Sequence, residues 1–151
     1  MTETGVILIA GVLAGCLDLS ATTLLVRARG IPFQKLLQTI ASGALGPPAY
    51  KQGARSAVLG LFFHFFIAST AATVYCIASR YLTILLDHPY SSGVFFGIAV
   101  HLFMTFVVIP LSAAPRPFSA KAFLTQLVIH ILFVGLPIAL TVRHFSATAI
   151  V

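Results

Sequence analysis

Four ionisable side chains lie deep inside long apolar stretches of this sequence, where such groups are rare. They are Asp18, His64, His101 and His130. Carboxylates and imidazoles exchange protons, and ionisable groups inside a membrane commonly mark proton relays and ion pathways. Imidazoles on facing helices are also the ligands that hold haem or a metal ion in helical bundles. The alternative is a structural role, in which these groups form interhelical hydrogen bonds of ~0.6 kcal/mol each.

The composition indicates that lipid surrounds these groups. Of 151 residues, 59% are hydrophobic and only 8% are charged, and the mean hydropathy is +1.05. Soluble domains are roughly 45–50% apolar and about 25% charged. A chain this short still needs a wetted surface in water, so a large core does not explain the deficit of charge. We therefore predict one integral membrane domain over residues 1–151.

Four windows contain the ~20 mostly apolar residues that a spanning helix needs. They cover residues 5–26, 56–79, 91–112 and 122–142. We expect an all-α, polytopic protein built as a four-transmembrane-helix bundle. Between the first two windows, apolar residues recur at helical spacing over 31–45, which predicts an amphipathic helix too short to span. We expect it to lie flat at the cytoplasmic interface; a re-entrant segment tucked into the bundle is the alternative.

The basic residues indicate the orientation, because Lys and Arg are retained on the cytoplasmic side. The loops after the first and third windows hold Arg27, Arg29, Lys35, Lys51, Arg55, Arg116 and Lys121. The opposite side holds Arg80 and Arg143, with Glu3 and Asp87. Both termini are therefore predicted on the non-cytoplasmic side. The net charge of +6 is thus a topology signal, and without a basic run longer than Arg27-Ala28-Arg29 we expect no nucleic-acid partner.

Helical rise predicts that the ionisable groups share one layer. Counted at 1.5 Å per residue, Asp18, His64 and His130 lie about 12 Å from the cytoplasmic end and His101 about 17 Å. The hydrocarbon core is ~30 Å thick, so an Asp18–His64 pair is expected near mid-depth. The predicted intramembrane polar cluster, with residues on the same helical faces added, is Asp18, His64, His101, His130, Gln126 and Tyr75.

Small residues on the same faces predict how the helices approach each other. Gly11 and Gly15 share the face of Asp18, and Gly93 and Gly97 share that of His101. Small-xxx-small patterns let helix backbones come close without a hydrophobic driving force. We expect these four glycines to be helix-packing positions, with the polar groups facing protein rather than lipid.

The two cysteines are interpreted as buried small hydrophobes, since they form no CxxC pair and no zinc spacing. Leu13-Ala14-Gly15-Cys16 matches a lipoprotein cleavage box. A secretory signal has a basic segment before its apolar stretch, whereas an acid precedes this one. The apolar run also continues beyond Cys16, so lipidation is disfavoured.

Several short motifs are similar to those of a known group of proteins. They include Leu37-Gln38, Ile40-Ala41-Ser42-Gly43, Gly60-Leu61 before His64, Ala78-Ser79-Arg80, and Val107-Val108-Ile109-Pro110-Leu111-Ser112. Over residues 15–140 the chain resembles small bacterial four-span inner-membrane proteins to which no activity is assigned. The resemblance implies a bacterial inner membrane and four spans.

Three functions are consistent with these features. The leading hypothesis is a proton- or ion-linked permease or channel that acts as an oligomer, because four helices enclose little space. The others are an accessory or assembly subunit of a larger membrane complex, and a haem- or metal-binding redox protein. An enzyme is least favoured, since the sequence has no recognisable nucleophile–base motif and only three Asp and Glu residues.

Overall fold

The computed structural model describes residues 2–115 and 119–147, and every regular element among them is a helix. Helix α1 covers Glu3–Arg27, α2 covers Phe33–Leu45, and α3 covers Ala54–Tyr81. Helix α4 covers Pro89–Leu111, and α5 begins at Ala120 and continues to Ala147. Helices α1, α3, α4 and α5 are long and apolar enough to cross a membrane, which confirms the predicted all-α class with four long apolar helices. Arg116 lies outside the described residues.

The connections use turn chemistry that the sequence supplies. Gly46 ends α2 at φ 65° and Gly53 precedes α3 at φ 59°, a conformation that residues with a Cβ rarely adopt. A 3-10 turn, Pro47–Lys51, lies between them. A helical turn, Ile84–Asp87, joins α3 to α4, and Pro89 opens α4 because a first helical turn needs no N–H from it.

Helices α4 and α5 are each interrupted by a π-helical turn. These turns are Met104–Val108, where the Ile109 N–H donates to the Met104 carbonyl, and Ile131–Gly135, where the Leu136 N–H donates to the Ile131 carbonyl. A proline follows each turn by two residues, Pro110 in α4 and Pro137 in α5. A proline ring clashes with the carbonyl four residues before it, and that carbonyl lies inside the widened turn in both helices.

The long helices pack as two close pairs, α1 with α3 and α4 with α5, and α1 also packs along α5. A Cβ at Gly11 would lie 2.7 Å from Ser69 Cα, and one at Gly15 would lie 2.8 Å from the Phe65 ring. In the other pair, a Cβ at Gly93 would lie 2.9 Å from Leu136 Cα and one at Gly97 2.6 Å from Ile131 Cα. All four glycines therefore lie where two helices approach closely, with no room for a Cβ.

The apolar core occupies one half of the molecule. Its buried residues come from the start of α1 and the later parts of α3 and α5, and are Val6, Ala10, Ala14, Ala72, Tyr75, Cys76, Val134, Ile138, Ala139 and Val142. At this end Arg80 of α3 forms an ion pair with Glu3 of α1. Cys76 is buried as expected, but Cys16 is exposed on the surface of α1, so the expectation of burial was wrong for Cys16.

In the opposite half of the molecule, α2 packs against α3 and contacts the loop after α4. Its buried residues, Leu37, Gln38, Ala41 and Ser42, share one side of the helix. The Leu37 carbonyl lies directly against Gly60 of α3, and the Gln38 amide donates to the Gly53 carbonyl at 3.0 Å. The Ala113 N–H, in the loop after α4, donates to the Gly43 carbonyl at 2.9 Å. The two loops richest in basic residues therefore lie at the same end of the molecule.

Candidate functional site

A cavity of about 410 Å³ lies in the α2 half of the molecule, and all five helices contribute to its lining. It occupies the space between α3 and α4, which do not pack along each other within the described residues. Asp18 of α1, His64 of α3, His101 of α4, and Gln126 and His130 of α5 all line it. Four separated positions of the sequence thus bring their ionisable groups to one cavity.

Asp18 and His64 lie side by side across the α1–α3 contact. His64 Nε2 is 4.0 Å from Asp18 Oδ2, within ion-pair range if the imidazole is protonated. The shorter contact of that nitrogen is with α1 itself, since the Nε2–H donates to the Gly15 carbonyl at 2.8 Å. Gly15 allows this bond because its missing side chain brings α3 close to α1. Asp18 Oδ1 is fully buried and has no hydrogen-bond partner among the described residues.

His101 and His130 face each other across the α4–α5 contact. Their ring centroids are 5.2 Å apart, with the planes tilted by 55°. The His130 Nδ1–H donates to the carbonyl of Gln126, one helical turn earlier, at 2.9 Å. His101 is only 3% exposed, and its Nε2 is buried without a hydrogen-bond partner in the described part of the chain. The two rings touch directly, so no plane is left between them for a porphyrin.

Gln126 connects the fourth long helix to the first. Its Nε2 donates to Thr22 Oγ1 of α1 at 3.4 Å. Thr22 lies one turn beyond Asp18 and also lines the cavity. This contact places α1 and α5 in a register that brings Asp18 and His130 to the same cavity.

Tyr75 does not join the other predicted cluster residues. Its hydroxyl donates to the Leu85 carbonyl at 2.9 Å, and its ring packs against Phe96 with centroids 4.9 Å apart. Tyr75 shares a helical face with His64 but lies eleven residues further along α3, about 16 Å by helical rise. The assignment of Tyr75 to the cluster was therefore wrong, because Tyr75 shares the helical face of His64 but not its depth along the helix.

Two contributors to the site were not anticipated from the sequence, and a further distortion lies beside it. Helix α2 supplies Leu36, Thr39 and Ile40 to the cavity wall. The π-helical turn of α4 supplies Met104, Thr105 and Val108, and the second π turn begins directly after His130. A proline in a helix signals a distortion, and π turns are frequent at functional sites. Pro110 and Pro137 were thus the available signals.

The site offers no ready metal centre among residues 2–115 and 119–147, since no three His, Cys, Asp or Glu residues come close enough together to hold an ion. Comparison with known proteins adds no family to this picture: no family model, curated protein or solved structure matches the chain.

Proposed function

We propose that the four long helices cross a bacterial inner membrane as a four-helix bundle, with α2 at the cytoplasmic interface and both termini on the opposite side. The hydrogen bond between Ala113 and Gly43 supports this arrangement, because it joins the two basic loops at one end. Lys35, on the exposed side of α2, is then free to reach the lipid headgroups. The resemblance to small bacterial four-span proteins supports the same membrane.

Within this arrangement the protein acts as a small proton- or ion-linked permease or channel. One observation carries the proposal: ionisable side chains from all four long helices line a single cavity. A carboxylate and three imidazoles at that depth are groups that can pass a proton between them, and intramembrane ionisable groups are costly enough to be retained mainly for such roles. The space between α3 and α4 gives a solute room beside them.

Two buried polar atoms of the site are available to a molecule in the cavity. An unpartnered polar atom in a low-dielectric interior is expensive, so a buried polar group is normally hydrogen-bonded to protein or to water. Asp18 Oδ1 and His101 Nε2 both lack partners among the described residues. A proton, a water molecule or a solute group in the cavity would satisfy them.

The position of the cavity supports an oligomer or a moving structure. The cavity occupies the α2 half, whereas the apolar core with Ala10, Ala72 and Ile138 fully buried fills the other half. Among the described residues the core therefore lies between the cavity and the far end of the molecule in this conformation. Passage requires either a second copy of the chain or rearrangement of the core.

The first prediction tests this function in proteoliposomes loaded with a pH-sensitive dye, at a membrane potential clamped with valinomycin and K⁺. The wild-type protein should speed the decay of an imposed pH gradient relative to protein-free liposomes. Asp18→Asn should abolish the gain, because it removes the only carboxylate among the described cavity residues. Each measurement is repeated with an opposing gradient of a small amine, a carboxylate or a sugar. A protein that moves protons only in exchange for such a solute is then also detected.

Asp87→Asn is the matched control, since Asp87 is an exposed carboxylate in the turn between α3 and α4. It should behave as wild type. Equal rates for wild type and Asp18→Asn above the protein-free rate would remove Asp18 from the mechanism. A wild-type rate equal to that of protein-free liposomes under every gradient would overturn the proposed function. Co-purification of a larger partner together with such equal rates would instead identify an accessory subunit.

A further inference from the structure

The cavity presents more hydrogen-bond acceptors than donors. Asp18 Oδ1 and His101 Nε2 have no partner among the described residues. The nearest basic nitrogen to Asp18 Oδ2 is 4.0 Å away, beyond hydrogen-bond length. A neutral imidazole has one N–H and one lone pair, and His130 gives its Nδ1–H to the Gln126 carbonyl, so its Nε2 is left as an acceptor.

The protein itself offers little to satisfy these acceptors. The His64 Nε2–H is already given to the Gly15 carbonyl, and the hydroxyls of Thr39 and Ser112 donate to backbone carbonyls. The Gln126 amide gives one N–H to Thr22 and keeps a second. None of the described residues that line the cavity is Lys or Arg. A bound molecule that complements this site must therefore bring N–H or O–H donors, and beside a carboxylate a positive charge is favoured.

The remaining lining is mainly apolar. It includes Leu19, Leu36, Ile40, Ile67, Met104 and Val108, with the hydroxyls of Thr22, Thr39, Thr105 and Ser112 among them. The volume of about 410 Å³ is within the usual range of roughly 300–1,000 Å³ for small-molecule sites. Such a wall favours a compact apolar body and disfavours a sugar or a second charged group, whose polar atoms would be left without partners.

We infer that this cavity binds a small primary amine with a compact hydrocarbon body, held as its ammonium at Asp18. A primary ammonium has three N–H donors, which suits a carboxylate and neutral imidazole nitrogens together. This inference rests on the proposed function and names its substrate class. The ammonium occupies the carboxylate that otherwise takes a proton, so loading one releases the other and links amine movement to proton movement. His64, His101 and His130 are the other titratable groups that face the site, from α3, α4 and α5.

The test compares three ligands that share one hydrocarbon cage, 1-aminoadamantane, 1-adamantanol and 1-adamantanecarboxylate. Their binding to the full-length protein in detergent is measured by isothermal titration calorimetry. The amine should bind roughly tenfold tighter than the alcohol, because a charge-assisted hydrogen bond separates them. The carboxylate should bind more weakly than the alcohol. In Asp18→Asn the amine should bind no more tightly than the alcohol. In Asp87→Asn the amine should still bind more tightly than the alcohol.

A second variant tests the apolar wall independently of Asp18. Ile67→Trp, on the cavity wall of α3, should weaken the amine and the alcohol alike by filling the space. If Asp18→Asn does not fold, this variant shows that the ligands occupy the cavity, and the wild-type preference for the amine over the alcohol and the carboxylate tests the charge. Equal affinity for amine and alcohol in the wild type would overturn the inference, as would an amine advantage that survives Asp18→Asn. Proton movement that depends on Asp18 without amine binding rejects this substrate class and leaves the proposed function standing. Amine binding without proton movement would reject the proposed function and leave the assignment of the ligand class standing.

Discussion

His64 is held to the first long helix through a backbone carbonyl. Its Nε2–H donates to Gly15 O at 2.8 Å, which is shorter than its 4.0 Å approach to the Asp18 carboxylate. A carbonyl oxygen has two lone pairs, so it can accept this bond in addition to its bond within the helix. The interaction fixes the proton on Nε2 of a neutral His64 and leaves Nδ1 as the acceptor.

The second prediction concerns this bond. His64→Phe should lower the free energy of unfolding by about 0.6–1.7 kcal/mol, the range for interhelical hydrogen bonds inside membranes, because the ring packs similarly but has no N–H. His64→Gln should recover part of the loss through its amide. Unfolding in detergent–SDS mixtures gives the measurement, and His88→Phe, at an exposed histidine between α3 and α4, is the control. Unfolding of His64→Phe at the wild-type SDS fraction would contradict the role of this bond.

Residue type and spacing predicted much at this scale, and the limits have physical causes. Asp18, His64, His101, Gln126 and His130 share one cavity, as their depths suggested. The sequence did not predict that His64 bonds to the Gly15 carbonyl rather than to Asp18, because a backbone carbonyl that a glycine leaves accessible produces no sequence pattern. Tyr75 failed for the simpler reason that its depth differs from that of His64.

At the scale of elements, α2 is the least expected contributor. Periodicity predicted an amphipathic helix over 31–45, and a helix over Phe33–Leu45 is present. Its apolar side packs across α3 at Gly60 and its neighbouring residues line the cavity. Periodicity identifies the apolar face of a helix but not the surface that this face covers, and lipid and protein are equally apolar partners.

The third prediction compares two glycines near α2. A Cβ at Gly60 would run into the Leu37 carbonyl, whereas one at Gly43 would meet nothing closer than 3.9 Å. Gly60→Ala should therefore destabilise the protein by about 1–3 kcal/mol through overpacking. Gly43→Ala should be neutral or stabilise it by up to about 1 kcal/mol, since Ala favours a helix. Both are measured by unfolding in SDS, and equal stability of the two variants would show that α2 does not dock on α3 in solution.

The hydrophobic periodicity also did not predict the two π-helical turns. The turns Met104–Val108 and Ile131–Gly135 each insert extra backbone ahead of a proline. The insertion changes which residues share a face on either side of the turn. His130 lies just before one turn, while Ile138 and Val142 lie beyond it in the core. A uniform helical wheel drawn over the whole of α5 therefore cannot place both sets of residues correctly.

At the scale of the molecule, the composition predicted the class of protein, and the hydropathy predicted the positions of the long helices. The window 56–79 lies within α3, Ala54–Tyr81, because a helix continues past its apolar stretch until its caps. The neighbours of each helix were not predictable. The small-residue faces of α1 and α4 predict that each helix packs closely against another helix. They do not predict that the partners are α3 for α1 and α5 for α4. That choice arises from the complementary shapes of particular side chains, such as Ser69 opposite Gly11.

The fourth prediction concerns the orientation of the whole bundle, since the basic loops are expected in the cytoplasm. Gln34→Cys on α2 and Tyr90→Cys at the start of α4 replace exposed, uncharged residues at opposite ends and so leave the charge signal intact. In a Cys16→Ser, Cys76→Ser background, a membrane-impermeant maleimide should label Tyr90→Cys in intact bacterial cells. It should label Gln34→Cys only after the inner membrane is opened. The reverse pattern would invert the bundle, moving the α2 half and its cavity to the outer side. Equal labelling of both in intact cells would mean that two orientations coexist, in which case antiparallel copies could together provide a cavity at each face.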